Sequence, residues 1–229
     1  MKAFTHTVIG RWLVKKKGEL DGWILYQRRK SYFPLLEKMV KEGELSIISC
    51  NCFAGRIMQD LKMKYNTPTL GLYFMYPDYI EFLQHLDYYL KEAKLEFVEH
   101  SKYKLGNEQR EAWAKTHNRY PIGLLDGKVE IHFMHYLTKE DAATKWYKRA
   151  KRVNFDNLLI VGMDRDCCTE QDIRTFDTLP YERKIMFSTH NLKELKSNCF
   201  VKEFANMDSV GEPYQYTDIY YRYLTERFK

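Results

Sequence analysis

Short, uniformly apolar runs separated by stretches of helical periodicity constrain this chain more than any other feature. The clearest run, Leu158-Leu159-Ile160-Val161-Gly162, has no polar alternation and reads as a strand buried on both faces. Residues 45–50 and 184–188 have the same character. Residues 69–74 read as a further strand after the break Asn66-Thr67-Pro68. Between these runs, Phe53, Ile57, Leu61 and Tyr65 recur at helical spacing, and Ile80, Leu83, Leu86 and Leu90 make an apolar stripe behind Pro77-Asp78. Thr169 with Asp172 forms a capping-box signature for a helix reaching about Leu179. Strands alternating with helices predict an α/β fold, a three-layer α/β/α sandwich on a mostly parallel sheet. Asp126-Gly127 between two apolar runs signals a hairpin, so the expected sheet is mixed. Residues 20–41 are helical in pieces with a restart at Pro34, and Thr217 opens a last helix. Residues 96–119 give no clear pattern.

No repeat, low-complexity tract or Pro/Ser-rich linker divides the 229 residues, which predicts one α/β domain over 1–229. Residues 1–43 form a basic N-terminal segment expected to pack on or beside it. Residues 1–41 hold ten basic side chains against three acidic ones, a net of +7 in a chain of +6, so the remainder carries −1. Such a segment suits an anionic membrane surface, nucleic acid, an acidic partner, or simply water. Nothing else in the chain points to nucleic acid, and none is expected as a partner. No apolar run approaches the ~18 residues of a membrane span, and the first residues lack a signal-peptide core, so a cytoplasmic location is expected. The five cysteines are odd in number, and neither Cys50-Asn51-Cys52 nor Cys167-Cys168 has zinc-ligand spacing. Reduced thiols at strand ends are the expectation.

In open α/β sheets ligands bind beyond the carboxyl ends of the strands. That rule selects four segments, 49–55, 73–78, 162–168 and 188–191; in the first, the helix N-terminus of the turn Asn51-Cys52-Phe53-Ala54-Gly55 offers backbone N–H groups to an anion and Gly55 admits close approach. It also selects Asp164-Arg165-Asp166, two carboxylates able to share a divalent metal, the alternative being a solvated acidic turn. His132 and His135 point to opposite strand faces and cannot ligate one ion there; His135 lies nearer the strand end and is the acid/base candidate. On the helix from Thr138, Ala142, Trp146, Ala150 and Val153 share the core face. Lys145, Arg149 and Arg152 form a basic row beside them, suited to a phosphate or to acidic residues of the chain itself.

Several of these segments together resemble a bacterial family. They are Ser49-x-Asn51-Cys52 with Ala54-Gly55, Tyr65-x-Thr67-Pro68-Thr69, Tyr120-Pro121, His132-Phe133-x-His135-Tyr136, and Trp146-x-x-Arg149-x-x-Arg152-Val153-Asn154. The pattern is similar to the domain-of-unknown-function 1919 family, often labelled exopolysaccharide biosynthesis protein, over roughly residues 40–200. The resemblance implies a three-layer α/β/α fold and a place among polysaccharide-assembly genes beside glycosyltransferases. It supplies no catalytic residue. The expected function is therefore binding of a sugar phosphate or sugar nucleotide in surface-polysaccharide synthesis, as a glycosyltransferase-like transferase. Asn51, Cys52, Phe53, Gly55, Trp146, Arg149 and Arg152 are the expected ligand-binding residues. His135 and Asp164 are expected to be catalytic, and Asp164 with Asp166 to hold a metal. The rival expectation is a non-catalytic assembly protein docking through the basic segment on a peripheral membrane surface or on membrane-bound polysaccharide enzymes. A third is hydrolysis through Cys50 or Cys52 as nucleophile.

Overall fold

The computed structural model describes residues 8–42 and 44–228. Helices α1 (Val8–Lys30) and α2 (Phe33–Lys41) lead into strand β1 (Ser46–Ser49) and helix α3 (Phe53–Asp60). Then come α4 (Tyr76–Gln84), α5 (Leu86–Lys91), β2 (Leu95–Val98), α6 (Lys104–Ala114) and the hairpin of β3 (Ile122–Leu125) with β4 (Val129–His132). Helix α7 (Lys139–Ala150), β5 (Leu158–Met163), α8 (Glu170–Thr178), β6 (Lys184–Ser188), β7 (Asn198–Phe200) and α9 (Thr217–Arg227) complete the chain.

The α/β expectation holds, with four parallel strands in the order β1-β5-β6-β7. Alternate residues of these strands face different layers, as a pleated strand requires. Phe187 meets Phe53 of α3 and Tyr220 of α9 on one face. On the other, Tyr76 at the start of α4 donates from Oη to the Met186 sulfur at 2.9 Å. Gly162 permits that crossing, because a Cβ there would stand 2.4 Å from Tyr76 Oη and 2.6 Å from the Met186 sulfur. Among the described residues no helix is long and apolar enough to cross a membrane.

The hairpin forms as its Asp-Gly signal requires, with Asp126 at φ +45° and Gly127 at φ +69°. It does not join the parallel sheet. With β2 it builds a separate antiparallel sheet, β2-β3-β4, so the two pairing modes are segregated rather than mixed. Residues 69–74 bend at Leu70 and Gly71, the latter at φ +70°, and form no strand of the main sheet. Tyr73 and His132 exchange backbone bonds of 3.0 and 2.9 Å, and Phe74 N–H reaches the Cys50 carbonyl at 2.9 Å. This segment thereby fastens the antiparallel sheet to the carboxyl rim of β1. Helix α3 ends at Asp60, followed by Lys62 at φ +53°, so Tyr65 lies beyond it. Pro34 restarts the N-terminal helix as expected, and α2 buries Leu36 and Val40. Arg29 at the end of α1 donates to Asp60 at 2.6 Å, both side chains almost fully buried.

Candidate functional site

Because β1, β5, β6 and β7 run parallel, the turns that follow them emerge at one rim. Cys50 N–H bonds to the Val161 carbonyl at 3.3 Å, so the Asn51 turn and the Asp164 loop are immediate neighbours. Asn51, Cys52, Tyr73, Gln109, Trp113, Met134, Arg165, Asp166 and Glu212 surround a cavity of about 400 Å³. It adjoins a second, of about 740 Å³, bounded by Gly55, Tyr65, His135, Tyr136, Lys145, Arg149 and Tyr214. Trp113, Met134 and Glu212 border both, which makes one continuous cleft of ordinary ligand size. Another cavity, of about 610 Å³, lies at the opposite strand ends between α2 and α9. Its charged side chains are engaged with the chain itself: Arg183 with Asn157, Arg227 with the Lys196 carbonyl, Lys38 with Glu42.

One wall of the cleft is α6, from which Gln109 and Trp113 project at i and i+4. The Trp113 indole stacks on His117 with centroids 3.8 Å apart and meets the edge of His135 at 5.5 Å. The opposite wall is the loop 210–214, fastened by the end of β5. Asp164 accepts Val210 N–H at 2.8 Å on one oxygen and Thr189 N–H and Oγ at 2.6 and 2.8 Å on the other. Arg165 donates to the Val210 carbonyl at 2.7 Å. Asp166 at φ +53° and Cys167 at φ +69° turn the chain sharply, and the Asp166 carbonyl accepts Tyr76 N–H at 2.7 Å. Two successive non-glycine residues in the left-handed region are strained, as turns at functional sites often are.

Of the expected residues, Asn51, Cys52, Gly55, His135, Arg149 and Asp166 do line the cleft. Arg149 Nη1 donates to Tyr136 Oη at 2.6 Å and the guanidinium lies 5.4 Å above the Tyr65 ring. Its remaining donors, like those of Arg165, meet no carboxylate in a salt bridge among the described residues. His135 stands at the mouth; partial desolvation, then the nearby charge of His117, lowers its pKa from the usual histidine value.

Other expectations are corrected. The N–H groups of Phe53 and Ala54 are already accepted by Asn51 Oδ1 at 3.1 Å and Ser49 Oγ at 3.2 Å, so they are not open to an anion. The Phe53 ring packs in the core against Tyr220 and Tyr221. Trp146 is 1% exposed and packs on Phe82 and Phe133, because its side of α7 is the core side. Arg152 instead donates to the Tyr65 carbonyl at 3.1 Å. Asp164, expected to react, is instead turned inward with both carboxylate oxygens bonded to Val210 and Thr189, and it borders neither cavity of the cleft. Asp166 accepts Gln109 Nε2 at 2.9 Å. The left-handed turn at Asp166 ends the strand alternation that would put both carboxylates on one face, and among the described residues no cluster of three His, Cys, Asp or Glu suits a metal ion. Burial pushes the Cys50 thiol far up and the Cys52 thiol up to about 12, the opposite of what a nucleophilic cysteine needs.

Sequence reasoning missed α6, which supplies Gln109 and Trp113. It also assigned no role to a buried cluster behind the cleft. His132 Nε2 lies 2.7 Å from Glu130 Oε1, with side chains 0% and 1% exposed. Glu130 also accepts Lys102 N–H at 2.9 Å and the Ser101 hydroxyl. Burial alone would raise the Glu130 pKa, but the hydrogen bonds from His132, Ser101 and Lys102 hold it below the usual value. On the other imidazole nitrogen, Nδ1 faces Tyr120 Oη at 3.4 Å, and Tyr120 Oη lies 2.7 Å from Tyr73 Oη. The Tyr73 ring stacks on His132 at 4.5 Å and borders the cleft.

A family described as "Domain of unknown function (DUF1919)" matches residues 26–229. An uncharacterized protein of Haemophilus influenzae is 34% identical over 193 residues, covering 83% of this chain and 84% of that protein.

Proposed function

The chain belongs to the DUF1919 family, and we propose that its rim cleft binds a sugar phosphate or sugar nucleotide for transfer to a hydroxyl acceptor in surface-polysaccharide synthesis. The observation that carries this reading is the meeting of Trp113 with Arg149 and Arg165 in one cleft. A flat indole suits the apolar face of a sugar or a base. Guanidinium forks with donors to spare suit phosphate oxygens. The polysaccharide setting rests on the family resemblance alone, a contextual argument. Thermal unfolding with a panel of sugar nucleotides and sugar phosphates at millimolar concentration tests the reading. A ligand present at 100 times its Kd adds about 2.7 kcal/mol to stability. In a chain of this length that raises Tm by roughly 5–10 °C. The same rise is expected with and without manganese, since Asp164 is turned away from the cleft to hold the 210–214 loop. No rise with any of these compounds contradicts the proposal.

A second reading is favoured by α1. Leu20 and Trp23 are 57% and 59% exposed, and with Ile24 they form one apolar face between Lys16, Lys17, Arg28 and Lys30. An assembly protein would dock there on membrane-bound enzymes or an anionic bilayer. Leu20→Glu with Trp23→Glu then abolishes co-sedimentation with anionic vesicles bearing those enzymes, while leaving nucleotide binding unchanged. Equal co-sedimentation of variant and parent removes this reading.

A further inference from the structure

The buried cluster behind the cleft has a direction. Nε2 of His132 faces the Glu130 carboxylate at 2.7 Å, so Nε2 carries the proton and Nδ1 is the acceptor. The hydroxyl facing Nδ1 belongs to Tyr120, which therefore donates to the imidazole. Its oxygen is left to accept from Tyr73, 2.7 Å away. Tyr73 borders the cleft, and its oxygen keeps lone pairs with which to accept. Glu130 is held in place by Ser101 and Lys102 N–H, and its backbone N–H bonds Asp78 at 2.7 Å. His132 is held by the stacked Tyr73 ring and by Gly106 of α6, where a Cβ would stand 2.8 Å from the imidazole. Every member but Tyr73 is sealed from the cleft. A hydrogen-bond chain with one end open and a carboxylate at the other is the arrangement of a nucleophile, a base and an orienting acid.

We propose that Tyr73 is the catalytic proton acceptor of this cleft, and that Tyr120, His132 and Glu130 are the positioning residues through which the proton is passed on. The proposal rests on the reading of the cleft as a transfer site. As the acceptor hydroxyl attacks the anomeric carbon of a sugar phosphate or sugar nucleotide, its O–H bond breaks and a C–O bond forms. The leaving phosphate departs with the electron pair of the old C–O bond. The acceptor's proton goes to the Tyr73 oxygen, the Tyr73 proton to Tyr120, and the Tyr120 proton to His132 Nδ1. The imidazolium so formed lies against the Glu130 carboxylate. Burial, with Tyr120 next, raises the Tyr73 pKa so far that free phenolate is not the base; the phenol acts by relaying.

N-Acetylimidazole tests this without a known substrate. Acetylation forms a phenolic O–C bond and breaks the reagent's C–N bond; the phenol proton follows the relay, and the departing imidazolide takes its proton from water. In the intact chain at pH 7, mass spectrometry is expected to find Tyr73 acetylated faster than Tyr65 and Tyr214, which border the same cleft and are less buried. Tyr120→Phe and His132→Gln are expected to slow Tyr73 by about tenfold or more. Tyr214 labelling, which reports the fold of the cleft, stays constant in both. Tyr73 reacting no faster than Tyr214 in the parent chain overturns the proposal, as does Tyr120→Phe leaving Tyr73 unchanged. A reactive Tyr73 without sugar-nucleotide binding keeps the relay and removes the sugar reading. Binding with an inert Tyr73 does the reverse.

Discussion

Glu130→Ala is expected to lower the unfolding free energy by about 3–5 kcal/mol. The carboxylate is 1% exposed and gathers three donors from three places: His132 Nε2, the Ser101 hydroxyl and Lys102 N–H. Alanine leaves the His132 and Ser101 donors buried without a partner, and each orphaned group costs about 1–3 kcal/mol. The void it leaves adds to this. Urea unfolding at pH 7 reads the loss directly, and a change below about 1 kcal/mol would mean that water reaches the cluster. The pH dependence follows from the sign of the Glu130 shift. Its folded pKa lies below the unfolded value of about 4.3, so its contribution is complete above that value. The contribution is lost as pH falls through the folded pKa. The gap between the parent chain and Glu130→Gln therefore narrows below pH ~4.3 and is flat from pH 5 to 7.

The second large effect is on binding. Arg149→Ala is expected to weaken the cleft's phosphorylated ligand about 10- to 100-fold, the 1.4–2.8 kcal/mol of a charge-assisted hydrogen-bonded pair. The guanidinium lies on the partly exposed side of α7, with Tyr136 Oη as its hydrogen-bond partner, so the fold tolerates the truncation. Arg149→Lys keeps the charge without the planar fork and is expected to restore only part of the affinity. Calorimetric titration of the three proteins orders them parent, lysine, alanine. Equal Kd values for parent and alanine would place the phosphate elsewhere.

Much of the fold could be read from local chemistry. The run 158–162, the Thr169–Asp172 capping box and the Asp126-Gly127 turn each act within a few residues, and each formed as its chemistry required. What lay beyond local reach was partnership. Residues 69–74 have strand composition, yet a bridge to His132, a bond from His135 N–H to the Gly71 carbonyl and one bond to the β1 rim take the place of a ladder. Helix α6 ranks low in apolar periodicity because it buries Gly106 and Arg110, the latter bonded to the Glu99 and Tyr120 carbonyls. Its contribution to the cleft, Trp113, was therefore hidden. The strand-end rule selected the Asn51 turn and the Asp166 loop, which meet at the cleft, where His135 and Arg149 join them. It had no means of telling that Asp164 turns inward, or that His132 joins Tyr73 to Glu130. Those facts depend on side-chain direction across contacts tens of residues apart.

The central claim is that turns distant in sequence form one ligand cleft, and photo-crosslinking tests it most directly. A sugar nucleotide carrying a diazirine on the sugar, irradiated with the intact chain, is expected to label peptides containing Trp113, Met134–Tyr136 and Arg165, with competition by the unmodified nucleotide. Competable labelling confined to the cavity between α2 and α9, or to α1, would contradict the account.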